Sequence, residues 1–186
     1  MGKILIINGS PRVQGNCKDA IGIVKETLTD AEIEEFSAYY AHFKPCFGCN
    51  FCKKSDMCAL DDDATELITE FDENDAVLIA TPIYYSQIPG PLKGLIDRFY
   101  VNFNPEKGRG VSAPEEKRKL GIVLSFGGMP EEEAVKVGEY VANCFRNTLF
   151  HDVKIVPCGG NGELGSLVGK QEQAAAVTEL AHWLVS

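Results

Sequence analysis

Residues Lys3 to Cys17 read KILIINGSPRVQGNC, an apolar run followed by a short polar loop and the start of a helical pattern. The continuous run from Ile4 to Ile7 is typical of a strand that is covered on both faces of a parallel sheet. The loop carries Gly9 and Gly15, which allow tight turns, and Arg12, whose guanidinium matches phosphate geometry. A helix starting near position 16 would aim free amide groups into the same space. This stretch therefore predicts a phosphate-binding loop.

The spacing of the loop indicates which phosphate it suits. It lacks the G-x-G-x-x-G pattern that holds a dinucleotide and the G-x-x-x-x-G-K-[ST] pattern that holds a nucleoside triphosphate. Hydroxyl, amide and guanidinium side chains suit one phosphate monoester better than a pyrophosphate laid along glycines. The alternative is an ordinary strand-to-helix turn with a polar tip.

Composition and charge exclude several classes of protein. The chain has 186 residues, of which 45% are hydrophobic and 24% charged, values typical of a globular domain. Its net charge of −9 argues against nucleic acid or an anionic membrane as the principal partner. The sequence enters its first strand without a leader pattern, and it carries seven cysteines. We therefore expect a cytoplasmic protein in a reducing compartment.

Strand-like runs alternate with helical patterns along the chain. The predicted strands are Lys3 to Asn8, Ile33 to Ala38, Ala76 to Thr81, Leu120 to Ser125 and Val153 to Pro157. Helical patterns follow each of them, and the acidic stretch from Asp61 to Asp72 is expected to supply the second helix. Such alternation predicts a single α/β domain over residues 1–186, with a doubly wound five-stranded parallel sheet in the order 2-1-3-4-5. Ligands bind such sheets beyond the carboxyl ends of the strands, where the order reverses.

Two long insertions interrupt this pattern. The first, from 39 to 60, is rich in cysteine, and the second, from 102 to 119, is rich in proline, glycine and charge. Loops of this length in a compact domain are usually functional or mobile.

Two further loops are expected at the same sheet edge as the phosphate loop. The third strand is followed by TPIYYSQIPGPLKGLIDRF and the fourth by SFGGMP. Aromatic and apolar side chains in the first of these would form a wall for a planar heteroaromatic ring, and the two glycines in the second would allow close approach. Alternatively, the tyrosines cap the sheet edge and the glycines merely turn.

The segments NGSPRVQGN, TPIYYSQIPGPLKGLIDR and SFGGM resemble the flavin-binding loops of the flavodoxin-like NAD(P)H-dependent FMN reductase family, in order along nearly the whole chain. The resemblance implies that the FMN phosphate is surrounded by Ser10, Arg12, Gln14, Gly15, Asn16 and Cys17. It likewise implies that the isoalloxazine is lined by Pro82, Ile83, Tyr84, Tyr85, Ser125, Gly127 and Gly128. Cys17 departs from the family pattern, which has serine or threonine there, and a thiol is a weaker donor.

A cysteine motif, C-x2-C-x2-C-x5-C, lies in the first insertion and comprises Cys46, Cys49, Cys52 and Cys58. Its spacing is similar to ferredoxin-type ligation, although Ala59 stands where the bacterial pattern has proline. It resembles the compact motif of iron–sulfur flavoproteins, which hold a [4Fe–4S] cluster near the FMN of a neighbouring subunit, and so implies a homodimer or homotetramer. A zinc site and unligated thiols are the alternatives. Cys144, on the apolar stripe of the fourth predicted helix, is expected in the core.

The resemblance implies an FMN-dependent oxidoreductase that passes electrons from NAD(P)H or ferredoxin to a small acceptor such as a quinone, a flavin or an oxygen species. No catalytic side chain is expected, because the flavin supplies the redox chemistry. A non-catalytic electron carrier and a cysteine-based redox or zinc module are the other hypotheses.

Overall fold

The computed structural model describes residues 2–112 and 114–186. Its strands are β1 Lys3–Asn8, β2 Glu32–Ser37, β3 Ala76–Pro82, β4 Arg118–Ser125 and β5 Phe150–Cys158. Its α-helices are α1 Asn16–Thr27, α2 Cys52–Ser55, α3 Ala64–Thr69, α4 Gly90–Arg98, α5 Glu131–Phe145 and α6 Gln171–Leu184. Short 3-10 helices cover Phe71–Glu73, Phe99–Asn102 and Pro105–Lys107. Within the described ranges, no helix is long and apolar enough to cross a membrane.

The strands form one sheet in the order β2-β1-β3-β4-β5, and every neighbouring pair is parallel. This confirms the predicted flavodoxin-like architecture. The register aligns the strand ends, since Asn8 pairs with Ala80 and Pro82 pairs with Ser125. The carboxyl ends of β1, β3 and β4 therefore meet at one edge, beside the point where the strand order reverses.

Helices cover both faces of the sheet because its central strands are apolar on both sides. Leu5 and Ile7 of β1 pack into one core with α3, α4 and α5, whereas Ile4 and Ile6 pack into a second core with α1 and α6. All seven positions of β3 are buried. Alternate side chains of a strand point to opposite faces, so a continuous apolar run serves two cores.

The predicted second helix is shorter than the acidic stretch that suggested it. Only Ala64–Thr69 is α-helical, and the chain continues as the 3-10 helix Phe71–Glu73. The change of path places the buried ring of Phe71 against Phe99 and Phe150, with centroids 4.5 and 4.6 Å apart. Packing of this ring therefore overrides the local helical pattern.

The prediction that Cys144 lies in the core is wrong, because this thiol is exposed. The buried stripe of α5 passes through Val141 and Phe145, and Cys144 lies on its flank.

Candidate functional site

The loop between β1 and α1 is folded by its own short side chains. The backbone N–H of Ser10 donates to Asn8 Oδ1 at 3.0 Å, and that of Arg12 donates to Ser10 Oγ at 3.2 Å. Asn8 is oriented in turn by the carboxylate of Glu35, which accepts from Asn8 Nδ2 at 3.3 Å. A Cβ at Gly9 would lie 2.7 Å from a methyl of Leu92 and 2.9 Å from Thr81 Oγ1, so any larger residue would force these buried side chains to shift. These contacts hold a tight loop directly beyond the end of β1.

The first turn of α1 presents amide groups toward this loop. Gly15 is the N-cap residue, and among the described residues no side chain caps the turn. Arg12 and Gln14 are exposed at the rim of the loop. A helix of 12 residues carries partial positive charge at this end, and its uncapped N–H groups suit an anion. The donor set therefore fits a single phosphate group such as that of FMN.

The side chain of Asn16 is bonded to the segment that follows β5. Its Nδ2 donates to the carbonyl oxygens of Asn161 at 3.1 Å and Glu163 at 2.8 Å. Its Oδ1 accepts from the N–H of Leu167 at 2.9 Å and from Ser166 Oγ at 3.3 Å. Since an amide side chain offers two donors and two acceptor sites, its capacity is used within the protein. Its backbone N–H is thus the group that is left for an anion, and the place of Asn16 beside a phosphate stays a prediction.

Cys17 lies one residue further along α1 and is buried. Burial raises the pKa of the Cys17 thiol to about 12, with a further contribution from neighbouring Cys158, while a hydrogen bond with Ser10 acts in the opposite direction. The group is thus a neutral thiol at physiological pH. It adds no negative charge beneath the phosphate loop.

The loop after β3 carries the predicted aromatic residues into solvent. Tyr84 and Gln87 exchange two backbone hydrogen bonds of 2.9 and 3.1 Å, which close a tight turn. Tyr85 and Ser86, at the tip of the turn, have φ values of +50° and +63°, and the Tyr85 side chain is fully exposed. A non-glycine residue at positive φ costs free energy, so the rest of the turn must hold it. The interpretation that Tyr85 caps the sheet edge is wrong.

The loop after β4 lies beside the loop after β3 and is tied to it by a backbone hydrogen bond. The N–H of Ile83 donates to the carbonyl of Ser125 at 2.9 Å. A Cβ placed on Gly127 or on Gly128 would meet no described atom within 4 Å, and neither residue has positive φ. Neither protein packing nor backbone conformation requires glycine at these positions. The space that a Cβ would occupy at either position is open.

The structure adds residues that the sequence did not single out. Tyr40 donates its hydroxyl to the carbonyl of Pro11 at 2.6 Å and tethers the phosphate loop from the side of β2. The segment 159–167 after β5 lies against the same loop, through the Asn16 contacts described above. The sequence GGNG that follows Cys158 is the one local signal for this fourth loop.

The first insertion is fixed at both of its ends by one buried arginine. Arg98 Nη1 donates to the carbonyl of Lys44 at 3.0 Å and to both carboxylate oxygens of Asp62 at 2.9 and 3.0 Å. Arg98 is 2% exposed. A Cβ at Gly94 would lie 3.0 Å from Pro45, so the insertion packs closely on α4. The ends of the cysteine segment are thus rigidly placed.

The tip of this insertion docks on the second insertion. The ammonium of Lys53 lies 3.4 Å from the ring centroid of Tyr100 and donates to the carbonyls of Tyr100 and Phe103. Asp56 accepts hydrogen bonds from Lys107 and Arg109 at 2.5 Å each, and the pKa of Asp56 is lowered, first by the bond from Lys107. The two long loops that the sequence identified therefore form one unit.

The cysteine motif is accessible but is not gathered around one centre. Cys46 and Cys49 are exposed, and Cys52 and Cys58 are half-buried. In residues 2–112 and 114–186, no three His, Cys, Asp or Glu side chains are placed to hold a metal ion together. Cysteine thiols are suitable ligands for an iron–sulfur cluster, but the positions of these four thiols in the structure do not fit one.

A cavity of about 560 Å³ lies between the two insertions and the end of α5. Its lining includes Cys46, Tyr100, Cys144 and Thr148. Since Thr148 precedes β5, this cavity lies toward the amino-terminal edge of the sheet, and its lining includes no residue of the loops that follow β1, β3 and β4.

The sheet order and the helices on both faces define a flavodoxin-like protein. The sequence profile of the NADPH-dependent FMN reductase family matches residues 2–143. The chain belongs to this family.

Relatives of the chain include iron–sulfur flavoproteins. It is 32% identical over 132 residues to the iron-sulfur flavoprotein of Methanosarcina thermophila, a match that covers 68% of this chain and 63% of that protein. It is 30% identical over 173 residues to an iron-sulfur flavoprotein of Methanocaldococcus jannaschii, covering 90% of this chain and 79% of the relative. The chain thus matches less than two thirds of the length of the Methanosarcina relative.

Among solved structures, the fold is similar to an FMN-dependent NADH-azoreductase from Bacillus anthracis determined in complex with FMN. The TM-score is 0.74 at 20% identity, and the alignment covers 99% of this chain and all of the other. At this level of identity the comparison establishes the fold.

Proposed function

We propose that residues 1–186 form one FMN-binding domain that acts as an oxidoreductase, passing electrons from NAD(P)H or ferredoxin to a small acceptor such as a quinone, a flavin or an oxygen species. The observation that supports this proposal most strongly is that the first turn of α1 has no side-chain cap and lies beside Arg12, at the switch point of the sheet. Membership of the FMN reductase family supports the same assignment.

Each loop contributes one part of the binding site. The backbone amides of the first turn of α1 and the guanidinium of Arg12 bind the phosphate, and the neutral Cys17 thiol lies beneath them. The segment from Pro82 to Tyr85 and the glycines Gly127 and Gly128 flank the flat ring. When bound, FMN supplies hydride and electron transfer, and the protein positions it and controls solvent access.

The phosphate assignment is tested with Arg12→Ala. Exposed Arg146, near the cavity at the other edge of the sheet, provides the matched control Arg146→Ala. Loss of a charge-assisted contact of about 1.5–3 kcal/mol would raise the Kd for FMN by about 10- to 150-fold in the first variant. Equal FMN affinity in wild type and Arg12→Ala, measured by flavin fluorescence, would contradict the assignment.

Steady-state oxidation of NADH or NADPH with a quinone separates the enzyme from a pure electron carrier. An oxidoreductase of this kind turns over with flavin, nucleotide and acceptor alone. A carrier shows no turnover until a separate reductase is added. Absence of turnover in the FMN-loaded protein would therefore favour the carrier hypothesis.

A second proposal concerns the cysteine motif, which we propose binds a [4Fe–4S] cluster after local rearrangement of the loop. Its support is the spacing of Cys46, Cys49, Cys52 and Cys58, their accessibility, and the names of the relatives. Iron and acid-labile sulfide are measured on anaerobically purified wild type and Cys52→Ala. Stoichiometric zinc without iron, or neither metal, would refute this proposal.

We also propose that the protein is a homodimer or homotetramer in a cytoplasmic, reducing compartment. The apolar side chains Phe47, Phe51 and Met57 on the first insertion are 66%, 45% and 56% exposed and would be covered by a second copy. All seven cysteines are free, in keeping with reducing conditions. Light scattering after gel filtration tests the assembly, and a monomer would contradict it.

A further inference from the structure

The loop after β5 is organised by one buried amide side chain, that of Asn161. Its backbone N–H donates to the carbonyl of Phe126 at 2.8 Å, and its Nδ2 donates to the carbonyl of Cys158 at 3.0 Å and to Gln173 Oε1 at 2.8 Å. Its Oδ1 accepts from Ser166 Oγ at 3.0 Å. Asn161 thus joins the loop after β4, the end of β5 and the start of α6.

Asn16 connects this assembly to the phosphate loop. It is the first residue of α1, and its side chain is bonded entirely to segment 161–167. The Ser166 hydroxyl lies between the two amide oxygens, with its Oγ 3.3 Å from Asn16 Oδ1 and 3.0 Å from Asn161 Oδ1, and its single proton is shared between these acceptors and the Glu163 carbonyl at 3.0 Å. Asn16 and Asn161 are each 5% exposed. We call Asn16, Asn161 and Ser166 the amide network.

The first turn of α1 needs such an external support. Its N-cap residue is a glycine, which has no side chain to hold the helix start in place. Amide groups bind an anion well only when their directions are fixed before binding, because ordering a mobile loop costs free energy. The amide network supplies that order by holding the side chain of the first residue of α1.

From this arrangement we propose that Asn16 is a positioning residue for the flavin phosphate, acting through the backbone amides of the first turn of α1. The inference rests on the proposed FMN-binding function and deepens it. It assigns a role in phosphate recognition to the loop after β5, which contributes no side chain to the predicted site.

Riboflavin, which lacks the phosphate, makes the proposal testable. In Asn16→Ala, the Kd for FMN is expected to rise about tenfold or more, whereas the Kd for riboflavin stays within about twofold of wild type. Both constants are measured by fluorescence quenching on flavin-free protein, with the thermal midpoint recorded in parallel. If Asn16 had a purely structural role, its substitution would weaken the binding of FMN and of riboflavin equally.

Asn74 provides a matched control. It is also buried, and its Nδ2 donates to the carbonyls of Glu70 and Phe71, but it precedes β3 at the opposite edge of the sheet. Asn74→Ala is expected to lower the thermal midpoint without changing the ratio of the two dissociation constants. The ratio therefore separates phosphate positioning from general loss of stability.

An unchanged ratio in Asn16→Ala would overturn the inference and leave the proposed function intact. A wild-type protein that binds FMN no better than riboflavin would instead overturn the phosphate site, and the inference with it. If Asn16→Ala does not fold, the same two dissociation constants are measured for Ser166→Ala, which removes only the hydroxyl that lies between the two amide side chains. Ser166→Ala should raise the Kd for FMN about threefold relative to the Kd for riboflavin. An unchanged ratio of the two dissociation constants would refute the proposal.

Discussion

Substitution of Gly128 by alanine separates a ligand contact from a folding requirement. A Cβ at this position meets no described atom within 4 Å, and the backbone is not left-handed. Alanine should therefore stabilise the flavin-free protein by about 0.4–1 kcal/mol, because it restricts the unfolded chain. For a protein of this size, that corresponds to a rise of about 1–4 °C in the thermal midpoint.

The same methyl group should weaken flavin binding. It occupies the space that we assign to the ring, and overpacking a close contact costs about 1–3 kcal/mol, or about 5- to 150-fold in the Kd for FMN. Differential scanning fluorimetry of the flavin-free protein and a fluorescence titration with FMN measure the two effects.

Gly22 supplies the control for this experiment. It lies inside α1, and a Cβ there also meets no described atom within 4 Å. Gly22→Ala should stabilise the protein to a similar or greater degree, since glycine is unfavourable within a helix, and should leave the Kd for FMN unchanged. Unaltered FMN affinity in Gly128→Ala, or a loss of equal size in Gly22→Ala, would refute the reasoning.

Further predictions concern the first insertion and the buried thiols. Arg98→Ala removes one partner of a buried ion pair and should lower the free energy of unfolding by about 3 kcal/mol, as measured by urea titration. The first insertion should also be cleaved faster by trypsin after Lys53. A loss of stability below about 1 kcal/mol would contradict the assigned role of Arg98. Burial opposes ionisation of Asp62, but hydrogen bonds from the Lys44 N–H and from Arg98 outweigh it and lower its pKa below the ordinary 3.8. The stability from Asp62 should thus be complete above that value and be lost as the pH falls through the lowered pKa, whereas Asp62→Asn should lack this part of the acid dependence. Burial raises the pKa of Cys17 to about 12 and that of Cys158 to about 11. Iodoacetamide at pH 7.5 should therefore leave these two thiols unmodified in the native metal-free protein, and it should modify the exposed thiols of Cys46 and Cys49. Equal labelling of all four cysteines in mass spectrometry would contradict the burial of Cys17 and Cys158.

The fold could be predicted from the sequence because the signals for its strands and helices lie within short segments of the chain. The run from Ile4 to Ile7 is apolar at every position and rich in β-branched residues, which is typical of a strand covered on both faces. Alternation with helical patterns then leaves few parallel topologies, and 2-1-3-4-5 is the one observed. The bounds of α3 could not be predicted, since they depend on rings that Phe71 meets from distant parts of the chain.

The candidate site was predictable in its loops and less so in its side chains. The glycines and Arg12 of the first loop are local signals, and the structure places this loop at the carboxyl edge of the sheet, between β1 and α1. The role of Asn16 depends on partners about 150 positions away, and no local pattern contains them. Arg98 is similar, since it bonds to residues 36 to 54 positions away. Long-range hydrogen bonds thus decide which polar residues of a motif face the ligand and which hold the fold.

Calorimetric titration of flavin-free protein with FMN tests the central claim most directly. If the first turn of α1 and Arg12 form a phosphate site at the switch point, heat should saturate at one FMN per chain, with much weaker binding of riboflavin. Absence of saturable heat, or equal affinity for the two flavins, would contradict the account.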